Sequence, residues 1–269
     1  MIFDFNIHLN IPGRFDEEGA MDISMLSESY RMHRDEFLKL QGANFMLFNT
    51  GLPFEDYPVA DFVDEVRNDI PAAVFTQLLD FRRDDVPQAI ERLVRAGVQG
   101  IKFHSYVQAI TDSEIPAAVR AAREAAKRGM FIAIDASYGS TYLYEHDNMK
   151  LSAAIIREIK DVPIVILHSG GTKRWDAFLL TDGNKNVFLE TSFTLPYYEG
   201  SQIEDDLAFI YRKMGIDRVL YASDFPAVTH SDSENCMKRF IKKYGFTDEE
   251  SASIFTKNAE QLIAGLNVH

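Results

Sequence analysis

The sequence predicts an α/β chain folded as a single-domain (β/α)8 barrel, the TIM-barrel architecture, over residues 1–269. Strand-like and helix-like stretches alternate along the whole length, with no linker or low-complexity segment between them. The length, 269 residues, is close to the ~250 usual for such a barrel. Polar side chains recur at the last residues of apolar runs: His8, His104, Asp135, His168 and Asp224. In a barrel of parallel strands those ends converge on one face, so residues distant in sequence form one site. A doubly wound open sheet is the competing fold. It calls for a glycine-rich phosphate loop after the first strand, which this sequence lacks.

Strands are expected near 2–8, 44–49, 73–80, 98–104, 130–136, 163–168, 187–192 and 218–224. Several are continuous apolar runs, as parallel strands covered on both faces should be. The helices between them carry one apolar stripe each: Val86, Ile90, Leu93 and Val94 share a face, as do Ile203, Leu207, Ile210 and Met214. Gly42, Gly97, Gly129, Gly215 and Gly245 punctuate expected helix ends, where a left-handed residue is needed. Thr247-Asp248-Glu249-Glu250 has the pattern of a capping box. The stretch from Ile11 to about Ser27 is the longest irregular one. It follows the first strand directly and reads either as a lid over the barrel mouth or as a surface excursion.

Hydrophobic residues make up 46% and charged residues 26%, which places the chain among globular proteins. The formal net charge of −13 argues against a nucleic-acid partner, since phosphate binding needs a basic surface. An anionic small molecule remains admissible, because a basic cluster can sit inside an acidic protein. The single cysteine, Cys236, excludes an intrachain disulfide and fits a reducing compartment. The first residues read as a strand, not a signal peptide, and no apolar run approaches the ~20 residues of a membrane helix. The expectation is a soluble cytoplasmic protein with a small-molecule substrate, no nucleic-acid or membrane partner, and scope for a homo-oligomer.

Asn6 and His8 are two apart on one strand and therefore share a side of the sheet, as do Lys102 and His104. With Asp135, His168 and Asp224 they form a constellation able to hold a metal ion beside a proton-transfer group. Metal-assisted hydrolysis needs fixed ligands, an open position for water and a nearby acid or base.

Five segments resemble the amidohydrolase superfamily in the right order: Phe3-Asp4-Phe5-Asn6-Ile7-His8, Gly100-Ile101-Lys102-Phe103-His104, Val165 to Gly171, Val187 to Ser192, and Val219 to Pro226. The branch most similar is the amidohydrolase-related one that includes aminocarboxymuconate-semialdehyde decarboxylase. The tail from Thr247 to Leu262 resembles it too. The resemblance implies roles. The family's first strand carries two metal-binding histidines, of which the second is His8 and the first is replaced by Asn6. The histidine ligand of strand five is replaced by Asp135. Asp224 matches the strand-eight aspartate, and His168 matches the histidine that orients or polarises water or substrate. One imidazole, two carboxylates and an amide suit manganese, magnesium or ferrous iron better than zinc. Alternatively no metal binds, as in superfamily lactonases that dispense with it, and Asp224 or His168 acts directly as base on water.

Each residue also has a bland reading. Asp135 could cap a helix, and His8 or His168 could be packed core histidines. Lys102 could pair with Asp135 or Glu190, or bind a substrate carboxylate. His104 could be a pocket group or a support behind one. Arg82 or Arg83 could clamp a carboxylate or form a solvated loop pair. Trp175, Tyr138, Tyr197, Tyr198 and Phe225 fall in loops that line a pocket or cover the barrel top. His33 reads as packing, and Cys236 as buried.

The expected activity is hydrolysis of a small lactone, ester or amide, carboxylated substrates included. A divalent metal on His8, Asp135, Asp224 and Asn6 would activate water, with Asp224 and His168 catalytic and Lys102, His104 or Arg82 binding substrate. The alternatives are a metal-independent lactonase or decarboxylase of the same superfamily, or a non-catalytic ligand-binding barrel.

Overall fold

The computed structural model describes residues 1–9, 23–47, 59–137 and 141–268. Eight parallel strands form one sheet in sequential order. They are β1 (Phe3–His8), β2 (Gly42–Leu47), β3 (Val74–Leu78), β4 (Gly100–His104), β5 (Phe131–Asp135), β6 (Ile164–Ile166), β7 (Val187–Glu190) and β8 (Val219–Leu220). The sheet closes on itself through the chain just beyond β8. Phe5 N donates to Tyr221 O at 3.0 Å, Asp224 N to Asn6 O at 2.9 Å and His8 N to Phe225 O at 2.7 Å. The result is a (β/α)8 TIM barrel.

Helices α1 (Ile23–Met32), α2 (Arg34–Phe37), α3 (Ala60–Asp69), α4 (Val86–Arg95), α5 (Ile115–Lys127) and α6 (Asn148–Glu158) surround the first half of the barrel. The second half carries α7 (Arg174–Thr181), α8 (Thr194–Tyr197), α9 (Gln202–Met214), α10 (His230–Tyr244), α11 (Asp248–Ala252) and α12 (Asn258–Ala264). The capping box at Thr247 is present, with Glu250 N on the threonine hydroxyl and Glu250 returning to Thr247 N. The expected irregular stretch is in part helical, since α1 begins at Ile23; residues 11–22 lie outside those described. Gly42 opens β2 and does not end a helix. Its role is close approach: a Cβ there would collide with the Phe3 ring.

The apolar residues divide by strand parity into an inner and an outer core. Phe3, Phe5, Val74, Phe131, Ala133, Val165 and Leu220 fill the barrel. Ile101, Phe103, Ile132, Ile134, Leu189 and Val219 pack outward against the helices. Period two then places Lys102, His104, Asp135 and Glu190 on the inner side, at the upper ends of their strands. β1 breaks this rule. Its pairing with β2 shifts between Asp4 and Ile7. Phe3 and Phe5 point into the barrel, whereas Ile7 belongs to the outer core. An extra residue reverses parity. Asp4 therefore faces away from the mouth while His8 faces it, although strict alternation would have put Asp4, Asn6 and His8 on one side.

Candidate active site

A cavity of about 420 Å³ opens at the upper end of the barrel. His8, Lys102, His104, Tyr106, Asp135, Ser137, His168, Phe193, Asp224, Pro226 and Ala227 line it. Six of the sequence candidates thus meet in one place, from β1, β4, β5 and the ends of β6 and β8. Asn6 lies beneath, fully buried, and donates through Nδ2 to Ser192 Oγ at 3.2 Å.

Asp135 is the hub. Its Oδ2 lies 2.8 Å from Lys102 Nζ and 3.4 Å from His168 Nε2, and its Oδ1 lies 3.5 Å from His104 Nε2. Burial alone would raise its pKa, but His104, Lys102 and His168 outweigh it and hold the carboxyl well below its ordinary range. Asp135 also accepts from Ser137 N at 2.9 Å, a local turn bond and not a helix cap, since the N-cap of the following helix α6 is Asp147. Of the two partners weighed for Lys102, it pairs with Asp135.

His168 sits in a left-handed run. His168, Ser169, Gly170 and Gly171 have φ of 58°, 49°, 79° and 53°. The chain turns sharply after β6 instead of continuing as strand to residue 168. The two glycines tolerate that conformation, and hydrogen bonds hold the other two residues. His168 N donates to Glu190 Oε2 at 3.0 Å, and Ser169 Oγ to Glu190 O at 2.7 Å. His168 Nδ1 meets Ser192 Oγ at 3.0 Å, and that hydroxyl donates to Glu190 Oε2 at 2.9 Å. Burial opposes charge on the His168 ring, but Asp135, Asp224 and Glu190 lift its pKa to about 9. Burial in turn raises Glu190.

Asp224 has φ 64°, and its Oδ1 lies 3.5 Å from His8 Nε2. Burial raises its pKa to about 7, against the pull of His168 and Lys102. His8 moves the other way: burial and then the Lys102 charge push its imidazole well below the usual range. Burial likewise lowers His104 to about 4. Near neutral pH the mouth therefore holds two cations, Lys102 and His168, one firm anion, Asp135, and one carboxyl poised to exchange a proton.

Arg82 is not brought into the cavity. It pairs with Glu114 at 2.6 Å, donates to Gln108 O and lies over the Phe81 ring. Arg83 is held by Asp85 at 2.8 Å. Trp175 and Tyr197 are exposed, and Phe225 is buried below the rim. Tyr138 lies outside the described residues. His33 packs edge-on to Phe225, and Cys236 is buried. Sequence reasoning missed Tyr106, Ser137 and Phe193. Tyr106 Oη and Ser137 Oγ are 2.7 Å apart, and Phe193 stacks on Tyr197 at 5.3 Å. Tyr106 stands two residues beyond His104, a spacing that continues the inward side of β4 and offered a signal.

Residues 33–264 match the amidohydrolase family. The chain belongs to that family of enzymes. Its fold recurs in solved structures of low sequence identity. A Pseudomonas putida protein described provisionally as a 2-pyrone-4,6-dicarboxylic acid hydrolase superposes with a TM-score of 0.65 at 15% identity, over 98% of this chain and 97% of that one. The 2,6-dihydroxybenzoate decarboxylase of Rhizobium gives 0.66 at 14%, over 98% of both chains. A dihydroxybenzoic acid decarboxylase from Polaromonas sp. JS666, with bound manganese and 2-nitroresorcinol, gives 0.60 at 12%, over 98% and 96%. No curated protein matches the sequence. Both hydrolases and decarboxylases thus occur on this fold, and one such structure carries a divalent metal.

The donor set in this chain does not fit a metal ion. Asp135 is engaged by the Lys102 ammonium at 2.8 Å, a positive charge beside the carboxylate that a metal would need as ligand. Asn6 commits its amide nitrogen to Ser192, leaving Oδ1 as a single neutral donor below the cavity. Among the described residues no three His, Cys, Asp or Glu side chains gather as ligands. No membrane-crossing helix occurs among the described residues either.

Proposed function

We propose that this enzyme hydrolyses a small lactone bearing a carboxylate, and that it does so without a metal. The observation that carries the reading is the placement of Asp224 and His8 across one cavity from the Lys102–Asp135–His168 cluster. Lys102 supplies a built-in cation, and His168 is a second one near neutral pH. Lys102 and His168 face the firm anion Asp135 and the titrating Asp224, so a substrate that brings negative charge finds two cations in the pocket wall. The dicarboxylic acid named for the Pseudomonas putida structure is of this chemical class, and guides the choice of test compounds.

In the hydrolytic step Asp224 takes a proton from water as the water oxygen bonds to the carbonyl carbon. The carbonyl electron pair moves onto oxygen, and the imidazolium of His168 stabilises that oxyanion. When the intermediate collapses, the ring C–O bond breaks and Asp224 returns its proton to the departing oxygen. The products are a carboxylic acid and a hydroxyl on one opened chain. Lys102 binds the substrate's own carboxylate, while neutral His8 and His104 orient water and substrate. The cavity volume of about 420 Å³ accepts one small ring.

The test is hydrolysis of a panel of carboxylated lactones by enzyme purified through a chelator. Turnover that survives the chelator and disappears in Asp224→Asn supports the reading. Turnover that requires added manganese or zinc overturns its metal-free element; carbon dioxide release from carboxylated phenols, without lactone opening, overturns hydrolysis.

A further inference from the structure

Behind the strand ends lies a second carboxylate–imidazole pair that the mechanism above does not use. His230 Nδ1 is 2.8 Å from Asp4 Oδ2. Asp4 has no exposure to solvent. Its other oxygen accepts two backbone N–H groups, Ser223 at 2.9 Å and Asn6 at 3.2 Å. Those residues flank the two active strands: Ser223 precedes Asp224, and Asn6 stands two before His8. A buried carboxylate is tolerated only where such donors satisfy it.

The seam in question needs the support. β8 is two residues long, and β1 and the chain after β8 meet in an isolated bridge between Ile7 and Phe225. Asp224 is also held left-handed, at φ 64°, which is unfavourable for a residue with a side chain. Phe225 N donates to Ser223 Oγ at 3.0 Å, and Phe225 O accepts from His8 N. The His230 ring lies flat on the Phe225 ring, with centroids 4.8 Å apart and planes 1° from parallel. His230 itself is fixed as the first residue of α10, whose N-cap Thr229 accepts from Asp232 N at 3.1 Å. The register shift in β1 turns Asp4 to this outer side.

We propose that Asp4 and His230 are a positioning pair that sets the geometry of His8 and Asp224 from behind, through the Ser223 and Asn6 amides that Asp4 holds. Neither residue lines the cavity. The kinetic part of this proposal rests on the hydrolytic reading above; the geometric part does not.

The test uses full-length protein labelled with [15N]histidine, whose seven imidazoles are observed by NMR. The His8 signals are assigned by their loss in His8→Gln. His230→Phe keeps an aromatic ring against Phe225 and removes the donor to Asp4; His230→Asn keeps a donor near the Nδ1 position; Asp4→Asn keeps the shape. His8 signals should move in His230→Phe and in Asp4→Asn, and return toward the wild-type position in His230→Asn. A loss of stability alone would not shift the His8 ring signals of a folded variant. On whichever lactone the wild type opens, kcat should fall about tenfold or more in His230→Phe with KM little changed. His8 signals unmoved in the folded variants overturn the proposal. If one of the two disruptive variants fails to fold, the other decides. Wild-type protein inert toward every lactone removes the hydrolytic reading and leaves the NMR result standing as the judge of the pair.

Discussion

Lys102 Nζ lies 2.8 Å from Asp135 Oδ2, and both side chains are at most 3% exposed. A buried ion pair of this kind contributes little net stability, because desolvating both charges offsets their attraction. Breaking it from one side is another matter. Lys102→Met leaves Asp135 charged and short of its nearest partner, and should cost about 3–5 kcal/mol. The double variant Lys102→Met/Asp135→Leu removes both charges and should recover most of that loss. Urea denaturation of the two variants measures the difference. Equal destabilisation in both would mean that packing, not charge, sets the cost. Neither variant should turn over substrate, since both lack the cation.

The upward displacements of both Asp224 and His168 predict a bell-shaped profile. Asp224 must be ionised to accept a proton from water, and its carboxyl is pushed up to about 7 by burial. His168 must be charged to stabilise the oxyanion; burial opposes that charge, but Asp135 lifts its imidazole to about 9. kcat/KM should therefore rise through about 7 and fall through about 9. His168→Gln should remove the alkaline limb and lower the rate about 100-fold or more. A profile unchanged in that variant would take His168 out of the reaction.

How much of this site could be read beforehand depended on whether simple parity held. On β4 and β5 it did. Lys102, His104 and Asp135 alternate with Ile101, Phe103, Ile132 and Ile134, so period two plus closure of the barrel gathers them. On β1 it did not, because the register shift after Asp4 cannot be read from Phe-Asp-Phe-Asn-Ile-His. That is why Asp4 and His230 stayed invisible: their contact spans 226 residues and has no local spacing. His168 was marked by Gly170 and Gly171, yet the left-handed turn from 168 to 171 was not, since His168 and Ser169 seldom adopt that conformation. Loop side chains were least legible. Arg82 and Phe193 both follow strands, and only the folded loops decide that Arg82 turns to Glu114 while Phe193 turns to the cavity.

Arg82 supplies a control. Its guanidinium is committed to Glu114 and to two backbone carbonyls outside the cavity. Arg82→Ala should leave kcat/KM within about twofold of wild type and cost less than about 1 kcal/mol, as exposed ion pairs do. A rise in KM of about tenfold or more, specific to carboxylated substrates, would return Arg82 to the binding site.

Gly170 tests the turn that presents His168. Its φ is 79°, and a Cβ there would stand 2.6 Å from the Cβ of Ala177 on α7. Gly170→Ala meets both a left-handed backbone penalty and an overlap with a packed helix, each a cost of about 1–3 kcal/mol. The first place able to yield is the segment carrying His168, so activity should fall further than global stability suggests. Melting temperature and kcat measured together check this. A variant that is destabilised but fully active would show that the turn tolerates movement without moving His168.

Asp224→Asn should stabilise the protein while abolishing turnover. The folded-state pKa of Asp224 stands at about 7, against ~3.9 for an unfolded aspartate. Because the folded value is the higher one, the native state binds the extra proton. The associated stability is complete below the unfolded value and is lost as pH rises through the folded one. At pH 8 the wild type therefore holds an ionised carboxyl in a site that disfavours it. The neutral amide that Asp224→Asn introduces escapes that cost and should make the variant more stable by roughly 1–3 kcal/mol. The gain should shrink steadily on acidification toward pH 5, where the wild-type carboxyl is already protonated in the folded state. Denaturation curves at pH 5 and pH 8 read this without any substrate. A difference between the two proteins that does not grow with pH would place the Asp224 carboxyl at an ordinary pKa, and would remove its claim to be the base that activates water at neutral pH.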